Sequence, residues 1–228
     1  MLTVLAILPG IVLLGYVYKL DKIEKEPKGL LIKLFILGMA IVVPVAFVEI
    51  FLEQFLTMLF YTNTLLYQVI ENFLCVALIE EGFKLIALRL GSWNHREFNY
   101  RFDGIVYAVC VSMGFAIVEN IMYVSQGGLS VAIARALMSI PGHCIFAVYM
   151  GYYYGLSKLQ DKMHNPYKGL SSLASIVIPV LLHGSYDLMA SSNSDVMTIV
   201  FLIFVLVIEI ISFIKVRQYS KEDMPMPY

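Results

Sequence analysis

Charge is what this chain has least of. Of its 228 residues only 14% are Asp, Glu, Lys or Arg, against about 25% in an ordinary soluble domain. A soluble fold of that length needs a polar skin over its core. A composition that is 60% hydrophobic, with mean hydropathy +0.79, leaves too little for one. The net charge is −1, so there is no field to draw in nucleic acid. Cysteine is scarce as well. Cys75, Cys110 and Cys144 sit singly in apolar runs, with neither metal-ligand nor disulfide spacing. No basic region precedes the first apolar run, which starts at Leu2 and is followed by charge from Lys19 onward. That order is expected of a retained membrane span rather than a cleaved signal peptide.

Long apolar runs are what the chain does have. A hydrocarbon core of about 30 Å needs about 20 helical residues. Seven stretches reach that length, at roughly 2–18, 30–52, 65–90, 104–124, 130–156, 171–191 and 196–214. Residues 53–64 are apolar but short, and extend a neighbour or lie in the interface. No loop is long enough for a second domain, so the reading is one integral membrane domain over 1–228, an all-α polytopic bundle of about seven spans. Basic residues fix the orientation. Lys19, Lys22, Lys25, Lys28 and Lys33, then Arg89, Arg96 and Arg101, then Lys158, Lys162 and Lys168, then Lys215, Arg217 and Lys221 all fall on one side. The positive-inside rule then puts the N-terminus outside and the C-terminus in the cytoplasm.

The two remaining basic residues, Lys84 and Arg135, lie within spans, and they are not alone there. Glu80-Glu81 and Lys84 share the third span, Phe115 with Glu119-Asn120 the fourth, Pro141-Gly142-His143 the fifth, and His183 with Asp187 the sixth. An ionisable group inside a span costs roughly 2.5–3.5 kcal/mol on insertion scales, so it faces a cavity or a partner. Such a density implies chemistry or transport. Lys84 is one helical turn from both carboxylates and can reach either. One arrangement pairs one glutamate with Lys84 and leaves the other able to exchange a proton. His183 and Asp187 are also a turn apart, so the carboxylate can orient the imidazole. Arg135 is expected to find a carboxylate, with Asp187 or Glu119 nearest in depth. Gly151 and Gly155 read as a helix-packing contact, Glu49 and Glu53 as solvated groups, and Glu209 has no assigned role. Depth counts against a single site, since counting residues separates Glu80-Glu81 from Glu119 and Asp187 by up to about 15 Å.

The four signatures in order, Glu80-Glu81-x-x-Lys84, Phe115-x-x-x-Glu119-Asn120, Pro-Gly-His143 and His183-x-x-x-Asp187, resemble the PrsW family of bacterial membrane proteases. That family belongs with the wider superfamily that includes CAAX prenyl endopeptidases, and the resemblance runs from about residue 75 to 190. It implies a peptidase of the bacterial cytoplasmic membrane that cleaves a single-span anti-sigma factor on its extracytoplasmic side, starting the proteolysis that activates an envelope-stress sigma factor. On the family's pattern Glu80 and Glu81 are the acid/base pair, and Glu119, His143, His183 and Asp187 complete the site. Lys84, Asn120 and Phe115 support it.

The residues themselves leave two chemistries open. His143, His183 and Glu119 could hold Zn²⁺ with one position open to water. Alternatively Glu81 activates water without a metal and a histidine stabilises the oxyanion. No HExxH motif is present. A proton- or cation-coupled transporter and a non-catalytic scaffold of the same superfamily are the competing readings. The expected partners are a single-span membrane protein and membrane lipid, not nucleic acid.

Overall fold

The computed structural model describes residues 2–62, 64–192 and 194–227. They form helices α1 (Leu2–Leu20), α2 (Lys28–Ala40), α3 (Val42–Leu59), α4 (Leu65–Ile70), α5 (Leu78–Ser92), α6 (Asp103–Ala134), α7 (Ile140–Lys162), α8 (Lys168–Ala190) and α9 (Asp195–Lys221). Two wider, π-type turns lie between them, Glu71–Ala77 before α5 and Arg135–Ser139 before α7. A bilayer offers the backbone no hydrogen-bond partner, so a helix that satisfies itself is the form such apolar runs take.

Among the described residues, five continuous stretches are long and apolar enough to cross a membrane: Leu2–Leu20, Lys28–Leu59, Asp103–Lys162, Lys168–Ala190 and Asp195–Lys221. The chain is thus an all-α membrane bundle. The difference from seven has a physical cause in two places. The stretch from α4 to α5 carries Glu71, Glu80, Glu81, Lys84 and Arg89, so it is much less apolar than the other long helices. The stretches at 104–124 and 130–156 run on as 60 helical residues, interrupted where Gly128 takes φ 70° and ψ −152°. That left-handed backbone is open to glycine at little cost. It lets α7 return antiparallel to α6, as the contacts Gly104–Gly151, Ser112–His143 and Glu119–Arg135 show. Residues 53–59 extend α3, which bends away from α2 at Ile41.

Helix α6 is the axis of the bundle. From Asp103 to Ile117 every residue is buried, and the run is enclosed by α1, α2 and α7. Close approach needs small residues. A Cβ on Gly104 would stand 2.6 Å from the Gly151 carbonyl oxygen, and one on Gly155 2.2 Å from that of Arg101, so the Gly151–Gly155 reading holds. Helix α8 packs on α7 and on the π turn before α5, and α9 lies outermost against α7 and α8. At the other end of the molecule the tail folds back. Asp223 Oδ1 accepts from the Phe102 amide, Met224 O from Arg101, and Asn99 O from Met226.

Candidate active site

The buried polar groups of α5, α6, α7 and α8 meet in one network. Glu80, Glu81 and Lys84 share a face of α5, and all three are buried. Lys84 Nζ donates to Glu80 Oε2 at 2.8 Å and to Glu81 Oε1 at 2.7 Å. It also lies 3.2 Å from His143 Nδ1 and 4.3 Å from the centre of the Phe115 ring. An ammonium has three donors and no acceptor, so these contacts use all of them, and Nδ1 of His143 is the accepting nitrogen. The proton of neutral His143 is then on Nε2, which donates to Glu119 Oε2 at 2.9 Å. Ser112 Oγ donates to the His143 carbonyl at 3.0 Å and steadies the same turn.

Glu119 Oε2 also accepts from Arg135 Nη2 at 2.8 Å, while Arg135 Nε donates to Asn120 Oδ1 at 2.8 Å. Asn120 in turn donates to the Ala6 carbonyl of α1 at 2.9 Å. On the other side His183 Nδ1 lies 3.0 Å from Glu81 Oε1 and Nε2 lies 3.1 Å from Asp187 Oδ2. Ionised carboxylates only accept. The trio therefore holds either an imidazolium between two carboxylates or a neutral imidazole with one carboxyl protonated, and both forms carry the same number of protons. The Phe146 ring stacks on His183 with centroids 4.9 Å apart. Gly184 is required beside it, since a Cβ there would stand 2.5 Å from the Phe73 ring.

All six site residues expected from the sequence, with Lys84, Asn120 and Phe115, thus fall in one contiguous cluster. The depth objection disappears because side chains close the gap: Glu81 reaches His183, and Lys84 and His143 bridge from α5 to Glu119. Arg135 pairs with Glu119 rather than Asp187. Two expectations need correcting. Both glutamates bind Lys84 at once, so neither is left over as the free partner of a pair. Glu53 is exposed, as a solvated group would be, but Glu49 is partly buried; with Glu71 both line the wall facing the cluster, across a cavity of about 900 Å³. Glu71 and Phe146 carried no motif, and only their helical register relative to the motif residues could have placed them here.

Glu80, Glu119, His143, His183 and Asp187 all line this cavity, whereas Glu81 lies behind them, fully buried. The lining continues to Gln126 beyond the middle of α6 and to Ala190 and Ser191 at the end of α8. Among the described residues, Glu80, Glu81 and His143 offer metal-ligand atoms within 4.8 Å of one another. This set shares only His143 with the expected His143, His183 and Glu119. Two carboxylates and an imidazole suit a divalent cation in kind, and Glu81 Oε2, buried without a hydrogen-bond partner, is an acceptor such an ion could use. The set can hold a metal, but Lys84 Nζ stands at its centre, so an ion and the ammonium would compete for the same acceptors.

Known proteins resemble the chain over most of its length. A family described as PrsW family intramembrane metalloprotease matches residues 26–213. A protein named Protease PrsW from Oceanobacillus iheyensis is 34% identical over 226 residues, covering 98% of this chain and 99% of its own. Proteins of the same name from Geobacillus kaustophilus and Bacillus subtilis are 37% and 36% identical, over 78% and 83% of this chain and 75% and 82% of theirs. No solved structure matches the chain. With its buried Glu-Glu-His cluster inside a bundle of apolar helices, this polytopic bacterial membrane protein is a protease that belongs to the PrsW family.

Proposed function

We propose that this protease cleaves a single-span membrane protein, an anti-sigma factor, on the extracytoplasmic side of the bacterial cytoplasmic membrane, and so starts the release of an envelope-stress sigma factor. The observation that carries the side of cleavage is the course of the cavity. Its lining runs from the catalytic cluster to Ser191, at the end of α8 remote from the Lys158–Lys168 loop. Fourteen of the 16 basic residues mark that loop's side as cytoplasmic. The single domain of residues 1–228 then crosses seven times, with the α4–α5 rod and the two arms either side of Gly128 each counted as a span.

Glu80 is the general base in this reading, because it faces the cavity while Glu81 lies behind it. A water held by Glu80 attacks the scissile carbonyl carbon and gives its proton to the Glu80 carboxylate. That proton then passes to the departing amine as the peptide C–N bond breaks. Glu81 holds His183 through Nδ1, and its Nε2–H, which bonds Asp187 in the resting site, turns to donate to the developing oxyanion in place of that bond. Glu81 and Lys84 fix the base, while His143, Glu119 and Arg135 with Asn120 brace the opposite wall. A Zn²⁺ held by Glu80, Glu81 and His143 in place of the ammonium would supply a Lewis acid and a water of lowered pKa.

The family sets aside the transporter reading, and the convergence of these carboxylates and histidines supports catalysis over a scaffold. Co-expression with candidate anti-sigma factors tests the proposal. The wild type should yield a fragment cut near the outer membrane face and Glu80→Gln should not. A cut within the cytoplasmic part of the substrate would overturn the assignment of side.

A further inference from the structure

A second cavity lies on the other side of α7 from the catalytic groups. It is an open cleft of about 300 Å³ between α1, α9, α7 and the π turn before α7, at the small end of ligand-binding pockets. Leu13, Val17, Cys144, Val148 and Phe213 make its walls apolar. Glu209 and Ser212, one turn apart on α9, break that lining. Ser212 is 4% exposed and its hydroxyl has no hydrogen-bond partner among the described residues. Glu209 Oε1, also buried, has none. Polar groups left unpaired inside a membrane are costly, and two of them aimed into one cavity call for a ligand that pairs them.

We propose that this cavity binds an uncharged amphiphile of the bilayer that carries a free hydroxyl, which donates to Glu209 and accepts from Ser212. The occupant comes from the lipid, because α1 and α9 beside the cavity present Val12 and Ile210 outward. Glu209 lies six residues from Lys215, about 9 Å along α9. A phosphate head would have to be desolvated to reach that depth, and an ammonium would form an ion pair that seldom recovers its desolvation. A hydroxyl costs far less to bring there. The Tyr16 hydroxyl at the same cavity is already engaged, accepting from Arg217 Nε at 2.9 Å. Glu209 and Ser212 are therefore the groups left to recognise the ligand. Pro141 and Cys144 face this cavity while His143 and Phe146 face the other, so an occupant presses on the segment that carries His143. None of this depends on what the catalytic cluster cleaves.

Tryptophan quenching by brominated probes tests the site. The Phe213→Trp protein is reconstituted in phosphatidylcholine vesicles and titrated with ω-bromododecanol or with bromododecane. One hydrogen bond to a charged or buried partner is expected to make the alcohol quench at about tenfold lower mole fraction than the alkane. Glu209→Leu combined with Ser212→Ala should bring the alcohol back to the alkane's curve. Equal quenching by the two probes, or a preference that survives the double substitution, would overturn the proposal. So would a disulfide between two copies of Ser212→Cys, which would show a second chain seated on this face. If Phe213→Trp does not insert, Tyr16→Trp places the reporter at the same cavity.

Discussion

Glutamine at position 80 and glutamine at position 81 should both abolish cleavage but should differ in what they do to the fold. Glu81 Oε1 accepts from Lys84 at 2.7 Å and from His183 at 3.0 Å. The glutamine oxygen could still accept both, but each bond would lose its ionised acceptor. A hydrogen bond to a charged group contributes about 1.5–3 kcal/mol and a neutral one about 0.5–1.5, so the two together weaken by about 2 kcal/mol. The new amide NH₂ would replace the unpartnered Oε2 and be buried without an acceptor, adding about 1–3 kcal/mol. Glu80 makes one bond to Lys84, at 2.8 Å, and its carboxyl borders the cavity, so Glu80→Gln should weaken the fold by only about 1 kcal/mol. At about 2–4 °C per kcal/mol for a chain of this size, Glu81→Gln should lower Tm in detergent by roughly 6–20 °C and Glu80→Gln by about 2–4 °C. Loss of the base costs about 10²–10⁴-fold in rate. Cleavage of a co-expressed substrate, with both variants quantified in the membrane fraction, supplies the second readout. Near-normal cleavage by a well-inserted Glu80→Gln would refute its role as base. Equal Tm losses would refute the different bonding of the two glutamates.

The sequence made the parts of the site legible but not how they share protons. Motif spacing on a helix tells which residues can meet along that helix, and so Glu80, Glu81 and Lys84 could be grouped, as could His183 and Asp187. What joins the groups is contact between helices. Lys84 binding three acceptors at once depends on His143 arriving from α7, and the length of chain between the Gly128 break and His143 sets that. The π turn Arg135–Ser139 is likewise invisible in composition, yet it carries the residue that holds Glu119. Depth counted at 1.5 Å per residue failed for the same reason: long side chains and wide turns absorb the offset. The fold was easier to read, because the cost of unpaired backbone in lipid leaves little choice but helices. Glu49 was misread because nothing local separates a carboxylate in solvent from one half-buried across a cavity. Only the placement of α3 does that.

Reporter fusions within residues 158–168 and after the C-terminal residue should both read cytoplasm; an extracytoplasmic signal at either would sink the orientation. Gly151→Leu should prevent stable insertion, since even a Cβ there would stand 2.4 Å from the Gly104 carbonyl oxygen, and full recovery of folded protein would refute that crossing. Glu26, in the loop before α2, accepts from the Tyr107 hydroxyl, and burial pushes its pKa from 4.5 up to about 7, with Asp21 and Glu24 adding to the rise. The folded protein therefore keeps a proton that the unfolded chain loses above pH 4.5, so stability from this group is full at low pH and falls as pH rises to about 7. Melting of wild type minus Glu26→Gln should decline between pH 5 and 8, and a flat or rising difference would refute it. The last prediction concerns which cation holds the glutamates. Lys84 Nζ stands 2.8, 2.7 and 3.2 Å from Glu80 Oε2, Glu81 Oε1 and His143 Nδ1, so it fills the space between the three residues that would hold a metal, and two cations repel each other there. If the ammonium is the resident charge, wild-type cleavage is indifferent to a strong chelator and the purified protein binds no Zn²⁺ tightly. Lys84→Met removes it and leaves two carboxylates without their cation, a loss of about 3–5 kcal/mol. The same change opens the donor set, so Lys84→Met should bind one Zn²⁺ per chain and regain part of its Tm on doing so. Zinc bound stoichiometrically to the wild type, with cleavage silenced by chelation and restored by Zn²⁺, would show instead that Lys84 yields its place to the metal.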